Sequence, residues 1–107
     1  MLATGSFGRV ALSVRAMPVI VPVRYRVEAN TLRVQLANMA TIDTLAGSVV
    51  AFQADGFDHE TQRDWSVHAV GRIATRDTFE SNPDHMTFEI HPLHIEGRWL
   101  TFGQDFF

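Results

Sequence analysis

Strict alternation of apolar and polar residues, repeated in one segment after another, limits this chain to a fold built of half-buried strands. From Gly8 to Val14, the residues Val10, Leu12 and Val14 alternate with Arg9, Ala11 and Ser13. From Val19 to Val27, one face carries Val19, Val21, Val23, Tyr25 and Val27, and the other carries Ile20, Pro22, Arg24 and Arg26. Pro22 has no N–H for a ladder, so this strand is expected at an edge, at a bulge or opening toward a ligand. Glu28-Ala29-Asn30 is short enough for a hairpin turn, and Leu32, Val34 and Leu36 continue the alternation on a third strand.

Between Asn38 and Gly47 the period changes. Ile42, Leu45 and Ala46 fall at helical spacing and Gly47 stands where a helix stops, which predicts one short helix. Ser48 to Ala54 reads as a strand covered on both faces. Asp55 to Asp64 is polar and contains the turn dipeptide Asp55-Gly56, so an exposed loop is expected. A long strand follows, with Trp65, Val67, Ala69, Gly71 and Ile73 opposed to Ser66, His68, Val70 and Arg72; Trp65, a large aromatic next to a polar loop, is expected to be buried or beside a ligand groove. Arg76 to Asp84 reads as a loop with a helical turn. Met86-Phe88-Ile90 and Leu93-Ile95-Gly97-Trp99 suggest two last strands broken at Pro92. Six or seven short strands and one small helix describe an antiparallel meander that must close into a barrel or sandwich to hide its edges.

The chain has 107 residues, the size of a single domain over 1–107, and with 46% hydrophobic and 20% charged residues it is expected to fold. Burial is marginal at this length, so a partner subunit is expected to help. Positive charge comes from nine arginines and no lysine, against twelve acidic residues, which argues against a nucleic-acid binder and removes lysine chemistry. Without cysteine there are no disulfides, thiolate catalysis or zinc–thiolate sites. No apolar run reaches membrane-span length and no basic leader precedes the first strand, so a cytoplasmic address without membrane contact is the expectation.

Asp64, Ser66 and His68 alternate on one strand face and would suggest a hydrolase, but nucleophile, base and orienting carboxylate normally come from separate elements around an oxyanion hole. His85, His91 and His94 with Glu89 and Glu96 have metal-ligand chemistry, yet the odd spacing of His91 and His94 puts them on opposite faces of a regular strand, and no metal is assigned. Gly5-Ser6-Phe7-Gly8 leads into a strand, unlike a phosphate loop, and Asp55 to Asp64 lacks a calcium loop's ordered ligands. Arg24, Arg26 and Arg33 lie on facing sides of the second and third strands. Clustered arginines suit an anionic ligand such as a phosphate and equally form a solvated strand face.

Gly8-Arg9-Val10-Ala11, Met17-Pro18-Val19-Ile20-Val21-Pro22-Val23, Val50-Ala51-Phe52-Gln53-Ala54-Asp55 with Phe57-Asp58, Trp65-Ser66-Val67 through Val70-Gly71-Arg72, and His91-Pro92-Leu93-His94-Ile95-Glu96-Gly97-Arg98 resemble, in order and spacing, the pyridoxamine 5′-phosphate oxidase-like family of flavin-binding proteins. The resemblance implies a mainly β, flavin-reductase-like split β-barrel of six to seven antiparallel strands with one or two short helices. It implies a homodimer holding FMN, or in some branches a deazaflavin, in a groove between subunits, with a small-molecule substrate on the flavin face. By position the groove residues would be Arg24, Arg33, Gln35, Leu36, Ala37, Thr41, Trp65 and Ser66. No catalytic side chain is implied, because the flavin carries the hydride.

Many relatives place an Arg-Thr pair at the end of the third strand and a Lys at the loop-to-helix junction, where this chain reads Val34-Gln35-Leu36-Ala37-Asn38-Met39-Ala40-Thr41-Ile42. Either Arg24, Arg33 or a partner's arginine replaces that cation, or the cofactor differs, or binding has been lost. The expectations are thus a flavin-dependent oxidoreductase-like protein, a non-catalytic module for a flavin, haem or other planar ligand, or a barrel that holds none.

Overall fold

The structure, a computed structural model, describes residues 7–14, 16–37, 47–74, 80–81 and 85–100. Within them the alternating segments form β1 (Phe7–Val14), β2 (Met17–Glu28), β3 (Thr31–Ala37), β4 (Val49–Asp58), β5 (Arg63–Ile73), β6 (Glu80–Ser81) and β7 (His85–Leu100). All pair antiparallel in the order β3-β2-β1-β4-β5-β7, and a further β3–β7 pairing closes the ring, with β6 attached to β7. Closure satisfies backbone groups that an open sheet would leave at two edges. The split-barrel architecture follows, and no helix falls among the described residues. The segment expected to be helical lies outside them apart from Gly47, which has a left-handed φ of 82°.

The period-two faces became the core as expected. Val10, Leu12, Val21, Val23, Tyr25, Leu32, Val34 and Leu36 from the first three strands meet Phe52, Trp65, Val67, Met86, Phe88 and Ile90 inside the ring. Each such large side chain contributes about 1.5–3 kcal/mol by leaving water. Tyr25 packs edge-on to Phe52, with ring centroids 5.0 Å apart. Its hydroxyl is buried with no hydrogen-bond partner among the described residues, and burial pushes its pKa upward. A buried unsatisfied hydroxyl is costly, so Tyr25→Phe is expected to leave stability unchanged or raise it by up to about 1 kcal/mol in urea denaturation. A loss of stability would mean that the hydroxyl has a partner.

Of the three alternatives for Pro22 the edge strand is excluded, because β2 runs between β1 and β3; the β2–β3 ladder begins at Arg24, two residues beyond Pro22, so the missing N–H falls outside that ladder, and Pro22 there lines an open groove. Three local expectations are corrected. β4 is covered on one face only: Val50, Phe52 and Ala54 are buried, while Val49 and Ala51 are exposed. Asp55-Gly56 is strand, and the turn comes later, at 59–62. Gly56 answers a packing need there, since a Cβ on it would lie 2.6 Å from Cζ2 of its cross-strand partner Trp65. Finally, β7 is one strand of 16 residues rather than two. It absorbs Pro92 at a bulge, where the register passes from Val70↔His94 to Gly71↔Pro92 and leaves Leu93 as the extra residue.

Candidate functional site

The outer face of β2, β3 and β7 concentrates charge because the inner face of the same strands is committed to the core. Arg24 pairs across the ladder with Gln35, which pairs with Thr87; Arg26 pairs with Arg33, which pairs with Glu89. These two rows line a cleft of about 380 Å³ containing all three arginines, Gln35 and Thr87. Arg26 Nη2 lies 2.6 Å from Glu28 Oε1, and Arg33 Nη1 lies 3.5 Å from Glu89 Oε1. Arg24 makes no ion pair among the described residues, and its guanidinium stacks 4.9 Å from the centre of the Phe7 ring. Among the described residues the carboxylates of Glu28 and Glu89 stand beside Arg26 and Arg33, and Arg24 is the arginine of the three with no carboxylate next to it.

A second groove of about 320 Å³ shares Arg24 and Gln35 with the first. Its other walls are largely apolar, supplied by Phe7, Pro22, Leu36 and Ala37, with His85 at the margin. A cationic cleft and an apolar groove with a common wall suit a ligand that is anionic at one end and flat and apolar at the other.

The structure thus gathers Arg24, Arg33, Gln35, Leu36 and Ala37 of the expected groove residues in these two adjoining hollows. Thr41 lies outside the described residues. Trp65 and Ser66 sit elsewhere. Trp65 is 3% exposed, a core residue under Gly56. Ser66 faces outward on β5, separated from β2 by β4 and β1, roughly 14 Å across the sheet at ordinary strand spacing. It is nevertheless nearly buried, and its Oγ accepts from Gln53 Nε2 at 3.3 Å. Arg26, grouped with Arg24 and Arg33 in the sequence as a candidate for an anionic ligand, joins them in the cleft, whereas Phe7, His85 and Thr87 join the site without having been expected there, because their placement depends on cross-strand register.

The histidines have other partners. The bulge at Leu93 restores the parity that odd spacing would have broken, so His91 and His94 lie opposite Arg72 and Val70 on the same outer face, contrary to the expectation for a regular strand. His91 Nε2 lies 3.5 Å from Glu89 and His94 Nε2 lies 3.7 Å from Glu96. No group of three or more side chains arranged to hold a metal occurs among the described residues. Asp64, Ser66 and His68 do share a face, but His68 Nε2 meets Glu96 Oε2 at 2.9 Å, and Ser66 is bonded to Gln53.

Hydrogen bonds from Arg98 and then His68, aided by the Arg98 charge, hold the Glu96 carboxyl below its ordinary pKa. A depressed carboxylate stabilises the folded state above the ordinary carboxylate pKa and ceases to do so as pH falls through its folded value. The stability difference between the native protein and Glu96→Gln is therefore expected to shrink as pH falls below about 4. Salt is expected to reduce it at neutral pH, since the cluster is exposed. Parallel denaturation curves at each pH check this; a gap that is constant with pH would exclude the carboxylate as its source.

A family profile described as pyridoxamine 5′-phosphate oxidase matches residues 1–104. The structure of an FAD-binding protein from Mycobacterium smegmatis superimposes with a TM-score of 0.69 at 21% identity, covering 94% of this chain and 88% of that one. An FAD-binding protein from Mesorhizobium loti gives a TM-score of 0.69 at 17% identity, covering 92% of this chain and 87% of that one. At such identities the likeness establishes the split-barrel fold. No curated protein matches the chain in sequence.

Proposed function

Since the chain belongs to the pyridoxamine 5′-phosphate oxidase family, we propose that it binds a flavin nucleotide, FMN, with the phosphate in the arginine cleft, and serves as a flavin-dependent oxidoreductase of small molecules. The observation that carries this reading is the pairing of the cationic cleft with the apolar groove across the shared wall of Arg24 and Gln35. The flavin-binding activity of the structural relatives from Mycobacterium smegmatis and Mesorhizobium loti supports the same ligand class.

The donor set fits the group. A phosphate monoester is met best by planar guanidinium forks, and Arg24, Arg26 and Arg33 offer three within one cleft. Arg24 is the cation proposed to replace the missing junction lysine, since it keeps its charge free of a carboxylate among the described residues. Gln35 and Thr87 add neutral hydrogen-bonding groups beside it. Phe7 and Pro22 supply apolar surface in the groove where the flat part of the ligand would lie. The bound flavin would supply hydride transfer; the protein's part is to bind, orient and desolvate it. The chain is proposed to work as a homodimer, in which a second copy covers the open side of the groove.

Visible absorbance of the purified protein, followed by titration with FMN, FAD and riboflavin, tests the reading. Binding of FMN with clear preference over riboflavin supports a phosphate in the arginine cleft. Equal affinity for the two removes that placement, and absence of binding by all three removes the reading. Turnover with a reduced nicotinamide then separates an oxidoreductase from a module that only holds the flavin.

A further inference from the structure

Each arginine of the cleft is held by a neighbour, and the neighbours differ in kind. Arg26 lies 2.6 Å from the Glu28 carboxylate, and Arg33 lies 3.5 Å from that of Glu89. A carboxylate that fixes a guanidinium also offsets its charge and occupies one or two of its N–H donors. Arg24 is fixed otherwise. Its Cζ stands 4.9 Å from the centre of the Phe7 ring, and no carboxylate stands beside it among the described residues. An aromatic ring meets the flat face of a guanidinium, so the N–H groups, which lie in its plane, stay available to an acceptor.

Register puts Phe7 there. Phe7↔Arg24 is the last pair of the β1–β2 ladder, and directly opposed residues share a face, so ring and guanidinium both stand on the outside of the barrel. The same row continues through Gln35 on β3 to Thr87 on β7, which sets Arg24 between the ring and two neutral polar side chains. On the other side of β1, Asp55 of β4 meets Arg9 at 3.5 Å. Phe7 is 63% exposed and adds little to the core, which leaves the stack on Arg24 and the groove wall as its contacts.

We propose that Phe7 is a positioning residue: its ring holds the Arg24 guanidinium at the shared wall of cleft and groove with charge and donors intact, and thereby sets the preference of the site for a phosphorylated flavin over the unphosphorylated one. The inference rests on the reading of the cleft as a phosphate site. Without the ring the guanidinium must be ordered when the ligand binds, and ordering one long side chain costs about three- to tenfold in affinity.

Titration with FMN and riboflavin, read as the ratio of their dissociation constants, tests it on the native chain, Phe7→Leu, Phe7→Tyr and Arg24→Gln. Leucine keeps an apolar side chain in the groove but has no ring. Phe7→Leu is expected to lower the preference for FMN about three- to tenfold, through FMN and not riboflavin, and Phe7→Tyr to keep it near the native value. Added to Arg24→Gln, Phe7→Leu is expected to change the ratio no further, since the ring acts through Arg24. A second readout needs no ligand: the Arg24 Nε–H resonance is expected to be displaced by the ring in the native chain and in Phe7→Tyr, and to lose that displacement in Phe7→Leu. Position 7 is exposed, and circular dichroism of each variant controls for folding. Equal losses for FMN and riboflavin would make Phe7 a wall for the flat part of the ligand and overturn the proposal. An unchanged ratio, an undisplaced native resonance or an additive effect on Arg24→Gln overturns it as well. A native chain without preference for FMN removes the phosphate reading and this inference with it, whereas a native preference that survives Phe7→Leu removes only the role of Phe7.

Discussion

Truncating Trp65 to Ala is expected to lower the free energy of unfolding by about 3–5 kcal/mol, a large share of the roughly 5–15 kcal/mol available to a domain. The indole is 3% exposed and lies against the Cα of Gly56, where no Cβ fits without moving it. The ring cannot be replaced from nearby, because the adjacent aromatic on its cross-strand partner, Trp99, is engaged on the exposed side by Arg63, 5.2 Å from the ring centre. Gly56→Ala is expected to destabilise too, through overlap with the indole, and to cost much less once Trp65 is already Ala. A double-mutant cycle in urea measures that coupling. Independent, additive effects would mean that the two residues do not share this contact.

Replacing Arg24 with Gln is expected to weaken FMN binding about ten- to a hundredfold and leave riboflavin binding nearly unchanged. The lost interaction is one charge-assisted hydrogen-bonding fork, about 1.5–3 kcal/mol. Arg26→Gln is expected to do less, because that guanidinium is already held by Glu28 at 2.6 Å in an exposed pair. The Arg24 effect should shrink as salt is added, since the cleft is open to solvent. Titrations of both ligands against both variants at low and high salt distinguish the cases. An equal loss for riboflavin would show that Arg24 holds the ring or the groove wall rather than the phosphate.

The candidate site was half legible in the sequence. Arg24, Arg26 and Arg33 stand out because polar positions on β2 and β3 must face outward if Tyr25 and Val34 face inward, and a two-residue turn puts the strands side by side. That Glu89 would stand beside Arg33 was not legible, for the contact depends on β7 closing the ring against β3 from more than fifty residues away. Phe7 over Arg24 depends in the same way on the β1–β2 register. The grouping of Trp65 and Ser66 with these residues followed chain position and not space: neighbours in sequence on β5 point to opposite faces, one into the core and one outward.

Local chemistry by itself determined the strands of the first hairpins and the buried faces of β1, β2, β3 and β5, because side-chain direction alternates with a period of two whatever the strand pairs with. The core from Val10 to Ile90 is therefore written in the alternation. Tertiary structure alone decided the register, and with it the meaning of residues whose local signals mislead. Asp55-Gly56 has the composition of a turn but is drawn into strand by the need to seat Trp65. Pro92 has the chemistry of a strand breaker, but a one-residue bulge against Gly71 carries β7 through it and turns His91 and His94 to one face. Propensities of a few tenths to about 1 kcal/mol per residue yield to a ladder and a core that each supply several times more, and that ladder exists only once distant strands have met.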